Sequence, residues 1–318
     1  MTQLTVKVLR KAQEATDIAS FELGRADGGP LPAFSAGSHI DVHLPGGLVR
    51  QYSLCNAEGD TQHYRIAVLR DPATRGGSRC MHDAVQHGNE LEISEPHNHF
   101  PLVHAPRTVL LAGGIGITPL LSMAQRLAAI GADFTLHYCT RSAARTAFRD
   151  EILASRFADR VQFHFDDGPD TQKLQLTGAF GPPDAGTHIY VCGPTGFIDA
   201  VVAAAKGAGF APEQVHLEYF GAGAQDTSGD RAFDVRIAST GQVVRVEAKQ
   251  TVVQALAAQG VEILTSCEQG VCGTCITRVL EGECDHRDLY FTDEEKAKND
   301  QFTPCCSRAK SAVLVLDL

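Results

Sequence analysis

Ser266-Cys267-Glu268-Gln269-Gly270-Val271-Cys272-Gly273-Thr274-Cys275 sets the character of this chain. Its cysteines fall as Cys-x4-Cys-x2-Cys, and a fourth candidate, Cys305, lies far downstream. That spacing is the plant-type pattern of a [2Fe–2S] cluster. Two bridged irons take two protein sulfurs each, so three of the four thiolates must sit on one loop curled around the cluster. Gly270 and Gly273 suit such a loop, because a side chain there would keep backbone N–H groups away from the sulfides. A zinc site draws on two Cys pairs or on added His, whereas here one loop supplies three ligands.

The bulk composition is that of an ordinary globular protein. The chain has 318 residues, 43% of them hydrophobic and 21% charged, enough for two or three domains. No apolar run approaches the ~20 residues of a membrane span. Met1-Thr2-Gln3-Leu4-Thr5-Val6-Lys7-Val8 has no signal-peptide core and alternates like a strand. The ten cysteines are therefore expected as reduced thiols in a cytoplasm, with those outside the cluster serving as small buried hydrophobes. A net charge of −10 argues against nucleic acid as a partner. Residues 226–318 hold fifteen Asp/Glu against ten Lys/Arg, so the surface around the proposed cluster is acidic. Such a surface steers a basic partner or is simply solvated.

The first hundred residues are β-rich. Alternating stretches at Thr5–Leu9, Ile18–Leu23, His39–Leu44 and Tyr64–Leu69 are separated by Gly28-Gly29-Pro30 and Pro45-Gly46-Gly47. Short strands with such turns predict a small antiparallel barrel. Within it, Arg50-Gln51-Tyr52-Ser53-Leu54 joins a cation, a flat ring and a hydroxyl, the residue types that a flavin needs. Arg75-Gly76-Gly77-Ser78 offers exposed N–H groups as an anion nest.

Near Pro101 the pattern changes to strand–helix units. Arg107–Ala112 is a continuous apolar strand, as in a buried parallel sheet. It runs into Gly113-Gly114-Ile115-Gly116-Ile117-Thr118-Pro119 and a helix expected over Leu120–Ile130, with Thr118 as its cap and Pro119 in its first turn. Glycines between a strand and a helix N-terminus admit a pyrophosphate, although the strict Gly-x-Gly-x-x-Gly fingerprint is not met. A second strand, Asp133–Cys139, ends at Thr140-Arg141-Ser142, and a later one, His188–Val191, ends at Cys192-Gly193-Pro194. These ends are predicted to share the carboxyl edge of one sheet, where such sheets bind ligands. Val215–Gly221 closes the domain with Tyr219 and Phe220. A small, polar, Gly-rich linker follows, then a hairpin of Phe233–Ile237 and Val243–Val246, a helix over Thr251–Gln259, the cluster loop, Ile276–Leu280 and a closing strand Val313–Leu318.

Arg50-x-Tyr52-Ser53-Leu54 with Arg75-Gly76-Gly77-Ser78 resembles the flavin-binding barrel of the ferredoxin reductase superfamily. Gly113–Pro119 and Cys192-Gly193-Pro194 resemble its nicotinamide nucleotide motifs. With the ferredoxin part last, the domain order resembles the phthalate dioxygenase reductase family, a class IA group of Rieske oxygenase reductases. Cys305-Cys306-Ser307-Arg308 and the Leu314–Leu318 tail are most similar to its vanillate O-demethylase reductase branch. The resemblance spans essentially the whole chain.

It implies a multidomain α/β plus all-β protein: an antiparallel FMN-binding β-barrel over 1–102, an NAD-binding α/β domain with a parallel sheet over 103–224, a linker over 225–232 and a β-grasp plant-type [2Fe–2S] ferredoxin domain over 233–318. It implies cofactor contacts from Arg50, Tyr52, Ser53, Leu54, Arg75, Gly76, Gly77 and Ser78 to FMN, and from Gly113, Gly114, Gly116, Thr118, Pro119, Arg141, Cys192, Gly193 and Pro194 to NADH. Thr118 and Cys192 would flank the hydride path. Phe220, or alternatively Tyr219, would pack on the flavin ring. Arg141 and Arg145 leave a 2′-phosphate open, and NADH is the choice by resemblance. Cys267, Cys272 and Cys275 would be joined as cluster ligands by Cys305, with Cys306 and then Cys284 as alternatives.

The implied activity is hydride transfer from NADH to FMN, then single electrons through the cluster to a Rieske-type mononuclear iron oxygenase. This chain would act as a cytoplasmic monomer, with neither membrane nor nucleic acid as partner. A stand-alone flavin or quinone reductase and a redox sensor are the alternatives.

Overall fold

The computed structural model describes residues 3–72, 76–221 and 227–318. It divides into two compact units, Met1–Phe220 and Gly221–Leu318.

The first unit begins with six antiparallel strands: β1 (Gln3–Ala15), β2 (Ile18–Arg25), β3 (His39–Leu44), β4 (Leu48–Ser53), β5 (Tyr64–Leu69) and β6 (Glu90–Ser94). They lie in the order β4-β3-β6-β1-β2-β5, and a bridge between Leu54 and Ile66 closes the sheet on itself. Alternation along β1 sends Leu4, Val6 and Val8 inward, where they meet Phe21, Ile40, Leu54 and Ile66. β4 and β6 were not predicted as strands. β4 carries Arg50, Gln51 and Ser53 among its apolar residues, and β6 is a short alternation flanked by Glu90. A short helix, α1 (Gly77–Asp83), follows β5.

A parallel sheet comes next, built from β7 (Arg107–Gly113), β8 (Asp133–Thr140), β9 (Val161–Phe165), β10 (Thr187–Gly193) and β11 (Val215–Tyr219) in the order β11-β10-β7-β8-β9. Helices α2 (Ile117–Ala129) and α3 (Arg149–Ala154) contribute to the core on one side. Helices α4 (Leu176–Ala179) and α5 (Thr195–Ala208) contribute to the other. α2 starts three residues before the expected Leu120, which moves Thr118 from the cap into the first turn and leaves Gly116 as the cap residue.

No core boundary falls at the expected 102/103 junction. Ile18, Ala36, Cys55, Ala67 and Phe100 from the barrel share one apolar cluster with Leu110, Leu120, Leu121 and Tyr138. Polar ties cross the same seam: Arg65 pairs with Glu151 at 2.7 Å, Arg145 with Asp17 at 3.0 Å and Arg126 with Glu58 at 2.8 Å. The barrel and the parallel sheet thus form one body, and their sites can be compared directly.

The second unit holds β12 (Phe233–Ile237), β13 (Val243–Val246), α6 (Val252–Ala257), β14 (Thr277–Glu281), β15 (Cys284–Asp285), α7 (Asp293–Lys298), β16 (Gln301–Phe302), β17 (Arg308–Ala309) and β18 (Val313–Leu316). Its main sheet runs β13-β12-β18-β14-β16, with β12 and β18 parallel. The expected hairpin forms, and Thr251 caps α6 by accepting from the Gln254 amide. Val252, Ala255 and Leu256 of α6 pack on Phe233, Val235 and Leu314. A buried ion network closes the unit: Asp230 meets Arg287 at 2.6 Å and Arg308 at 3.6 Å. No helix among the described residues is long and apolar enough to cross a membrane. Residues 225 and 226 of the expected linker lie outside the described residues.

Candidate functional sites

In the first unit, β4 and the start of α1 bring the two barrel motifs together. The Arg50 side chain lies across Gly77, so closely that a Cβ there would stand 2.8 Å from Nε. Gly76 precedes the helix at φ 99°, a left-handed conformation that glycine adopts without strain. The Ser78 hydroxyl accepts from the Asp71 amide at 3.3 Å. Arg75 lies outside the described residues. Tyr52 is partly buried, and burial raises its phenol well above the usual range. Leu54 is the exception in this group. It is fully buried in the barrel core, and its amide donates to the Ser38 carbonyl at 2.8 Å.

The nucleotide motifs meet at the carboxyl ends of β7 and β10. A Cβ on Gly193 would stand 2.9 Å from the Gly113 Cα, and one on Gly116 would overlap the Cys192 carbonyl. Gly113 and Gly116 are therefore demanded by backbone packing, with Pro194 and Phe197 crowding Gly113. Gly114 differs: it has φ 55° and open space where a side chain would be. Thr118 is buried and donates its hydroxyl to the Ile115 carbonyl at 3.1 Å, and Pro119 is buried beside it. Arg141 is exposed at the end of β8. Arg145, the other candidate for a phosphate, already pairs with Asp17.

One residue that sequence reasoning missed links these motifs. Glu218 on β11 lies opposite Cys192 in the sheet register, and the Ser53 hydroxyl of β4 donates to its carboxyl group. The residue as a whole is partly exposed, but its Oε2 atom is buried and has no partner. Burial pushes its carboxyl up to about 8, with the Ser53 bond opposing. Cys192 is fully buried, and burial first, then Glu218, raises its thiol well above the usual range. Tyr219 turns to the other face and donates to Asp199 on α5 at 3.1 Å. Phe220, one step on, is 40% exposed. The single signal for Glu218 in the sequence was an acid inside an apolar strand, Val215–Phe220.

In the second unit the four expected cysteines converge. Their thiols associate in a chain, Cys272 with Cys267, Cys267 with Cys305, and Cys305 with Cys275. Hydrogen bonds from Cys272 and Cys305 hold the Cys267 thiol far below the usual range, while Cys272 and Cys305 are raised in turn. Cys306 instead meets the Thr303 hydroxyl at 3.3 Å and the Ser307 hydroxyl at 3.8 Å. Cys284 belongs to the apolar core on β15. Gly270 and Gly273 both have φ above 70°, and both are overlaid: Asp288 and the Cys306 sulfur sit over Gly270, and the Tyr290 ring over Gly273. Among the described residues no three or more His, Cys, Asp or Glu form a compact single-ion site. Four thiols strung along one glycine-rich loop and its neighbour suit two irons better than one.

A model of the 2Fe-2S iron-sulfur cluster binding domain matches residues 235–310, and one of the oxidoreductase NAD-binding domain matches residues 110–203. The chain is 56% identical over 319 residues to vanillate O-demethylase oxidoreductase of Pseudomonas sp. (strain HR199 / DSM 7063), covering 100% of each. It is 42% identical over 322 residues to tetrachlorobenzoquinone reductase of Sphingobium chlorophenolicum, covering 100% of this chain and 99% of that one. The solved structure of phthalate dioxygenase reductase, a modular structure for electron transfer from pyridine nucleotides to [2Fe–2S], is similar at a TM-score of 0.81 and 40% identity. That similarity covers 99% of this chain and 98% of the other.

Proposed function

The chain belongs to the phthalate dioxygenase reductase family of NADH-dependent oxidoreductases, with FMN, NADH and a [2Fe–2S] cluster as cofactors, and from that premise we propose how its residues divide the work. It is the reductase component of a two-component oxygenase system. Once bound, these groups accept electrons in pairs as hydride and release them singly.

Arg50 and the Gly76-Gly77-Ser78 turn hold the flavin phosphate, and Tyr52 lies along the flavin. Ser53 is oriented by Glu218, which remains protonated below about pH 8. Gly114 admits the dinucleotide backbone to the end of β7, and Cys192-Gly193-Pro194 bounds the nicotinamide pocket. Phe220 continues the strand alternation onto the Glu218 face and covers the flavin ring. Thr118 supports the turn through Ile115 and does not reach the reacting atoms. Cys267, Cys272, Cys275 and Cys305 hold the cluster, and Leu54 acts through the barrel core.

One observation carries the reading of the hydride site: Ser53 from the flavin motif and Cys192 from the nucleotide motif meet at the same buried carboxyl group, Glu218. Its test is stopped-flow reduction of the bound flavin by NADH. Glu218→Gln should slow that step at least tenfold, about 1.4 kcal/mol in the barrier, without releasing FMN. A variant that reduces at the wild-type rate would remove Glu218 from the site.

The acceptor is a Rieske-type oxygenase that demethylates vanillate or a related aromatic ether, and the reductase works as a cytoplasmic monomer. Similarity to the vanillate O-demethylase oxidoreductase supports this choice. Reconstitution with the cognate oxygenase tests it: vanillate should lose its methyl group only when NADH, reductase and oxygenase are all present. A second reading, direct reduction of a quinone, is supported by the likeness to tetrachlorobenzoquinone reductase. Quinone turnover by the reductase alone, faster than reduction of the oxygenase, would favour it.

A further inference from the structure

Behind the cluster loop lies a buried carboxyl group that the assigned electron route leaves without a role. Asp288 is 2% exposed and presses on Gly270, where an added Cβ would stand 2.9 Å from the Asp288 Cβ. The next amide, Leu289 N–H, donates to the Gly270 carbonyl at 3.0 Å, which fixes the two segments together. Gly270 lies between Cys267 and Cys272, so Asp288 backs the part of the loop that carries both.

Every contact of the carboxylate is with a donor. Oδ2 accepts from the Phe291 amide at 2.9 Å. Oδ1 accepts from the Ser307 hydroxyl at 3.3 Å and faces His286 Nδ1 at 3.3 Å. His286 Nε2 is buried with no partner, so the proton belongs on Nδ1, where it is bonded; a second proton on Nε2 would be stranded. Lys296, the nearest ammonium, donates at 2.8 Å to the Asp288 backbone carbonyl rather than to the carboxylate. Arg287 is drawn away to Asp230 and Asp285. The structure therefore takes the desolvation cost of a buried acid and pairs it with no cation.

We propose that Asp288 sets the reduction potential of the iron–sulfur cluster, holding it low by keeping a fixed negative charge against the loop of Cys267 and Cys272. An added electron on the cluster meets that charge across a short, poorly screened distance. The inference rests on the reading that Cys267, Cys272, Cys275 and Cys305 hold the cluster.

The test is a redox titration of the full-length holoprotein, following the low-temperature EPR signal of the reduced cluster. Asp288→Asn keeps the shape and removes the charge. It should favour the reduced cluster at least tenfold, a rise of about 59 mV for one electron. Asp288→Ser, smaller but still able to accept from Phe291, should shift the same way, and Asp288→Glu should restore a value near the wild type. Unchanged potentials in cluster-loaded Asn and Ser variants would overturn the proposal. Loss of the cluster in both, with retention in Asp288→Glu, would overturn it in favour of a structural role. Absence of the reduced-cluster signal from the wild-type protein would instead overturn the ligand reading beneath it.

Discussion

The two redox sites are built on opposite plans. The cluster site draws three of its four thiols from the single loop Cys267–Cys275, with Cys305 closing it. The hydride site is assembled from strand ends far apart in sequence, Ser53 on β4, Cys192 on β10 and Glu218 on β11, joined by the fusion of barrel and parallel sheet into one core. Each site also keeps a buried carboxyl group, treated differently. Glu218 has one donor and a second oxygen with no partner, and burial pushes it up to about 8. Asp288 has a donor at each oxygen. The number of donors, as much as the depth of burial, decides how a buried acid behaves. A site made by one loop should fail at a single residue, whereas a site made by packing should fail by degrees.

The sharpest break is expected at Cys272. Cys272→Ser should abolish electron transfer to the oxygenase while the NADH–flavin step persists, which turnover with the cognate oxygenase would reveal. Next in size is the ion network of the second unit. Asp230→Ala leaves Arg308, itself buried, without its charged partner. It should destabilise that unit by about 3 kcal/mol, and calorimetry should show its transition falling while that of the first unit stays put.

Acid should separate the units too. Burial lowers His39 and His137 to about 4, so between about 4 and 6.5 the unfolded chain binds the extra protons. The first unit therefore loses stability as pH falls through that window, by up to ~3 kcal/mol for His39. The second unit has His286 as its one histidine. Hydrogen exchange against pH should show the first unit opening at the higher pH.

The smallest effect concerns Glu218. Its raised value gives the opposite slope, with stability declining as pH rises from about 4.5 to about 8. Above 8 the new charge should tighten binding of the cationic NAD⁺ by up to about tenfold. Titration calorimetry of wild type and Glu218→Gln would expose the difference, because the variant should bind NAD⁺ equally on both sides of pH 8.

These contrasts also explain what could be read in advance. The Cys-x4-Cys-x2-Cys loop was legible because metal ligation fixes spacing along the chain. The barrel and the parallel sheet were legible from alternation and from the glycine-rich strand ends. Glu218 was not, since its meaning comes from register with Cys192 and from a bond to a residue on another sheet. Gly113 and Gly116 were assigned to phosphate approach, yet their neighbours are Phe197 and the Cys192 carbonyl. Thr118 had the right chemistry for a cap, but the short 3₁₀ turn Gly114–Gly116 starts the helix early and leaves it inside. Arg145 read as a free cation, and Asp17 across the fused core claims it.

The central claim is that the first unit reduces its flavin whether or not the second can pass electrons on. Anaerobic absorption spectra of wild type and Cys272→Ser, taken before and after NADH with the released flavin identified, test it most directly. The account predicts FMN in both, bleaching of flavin and iron–sulfur bands in the wild type, and bleaching of the flavin alone in the variant. A folded, flavin-replete variant whose flavin stays oxidised under NADH would contradict it.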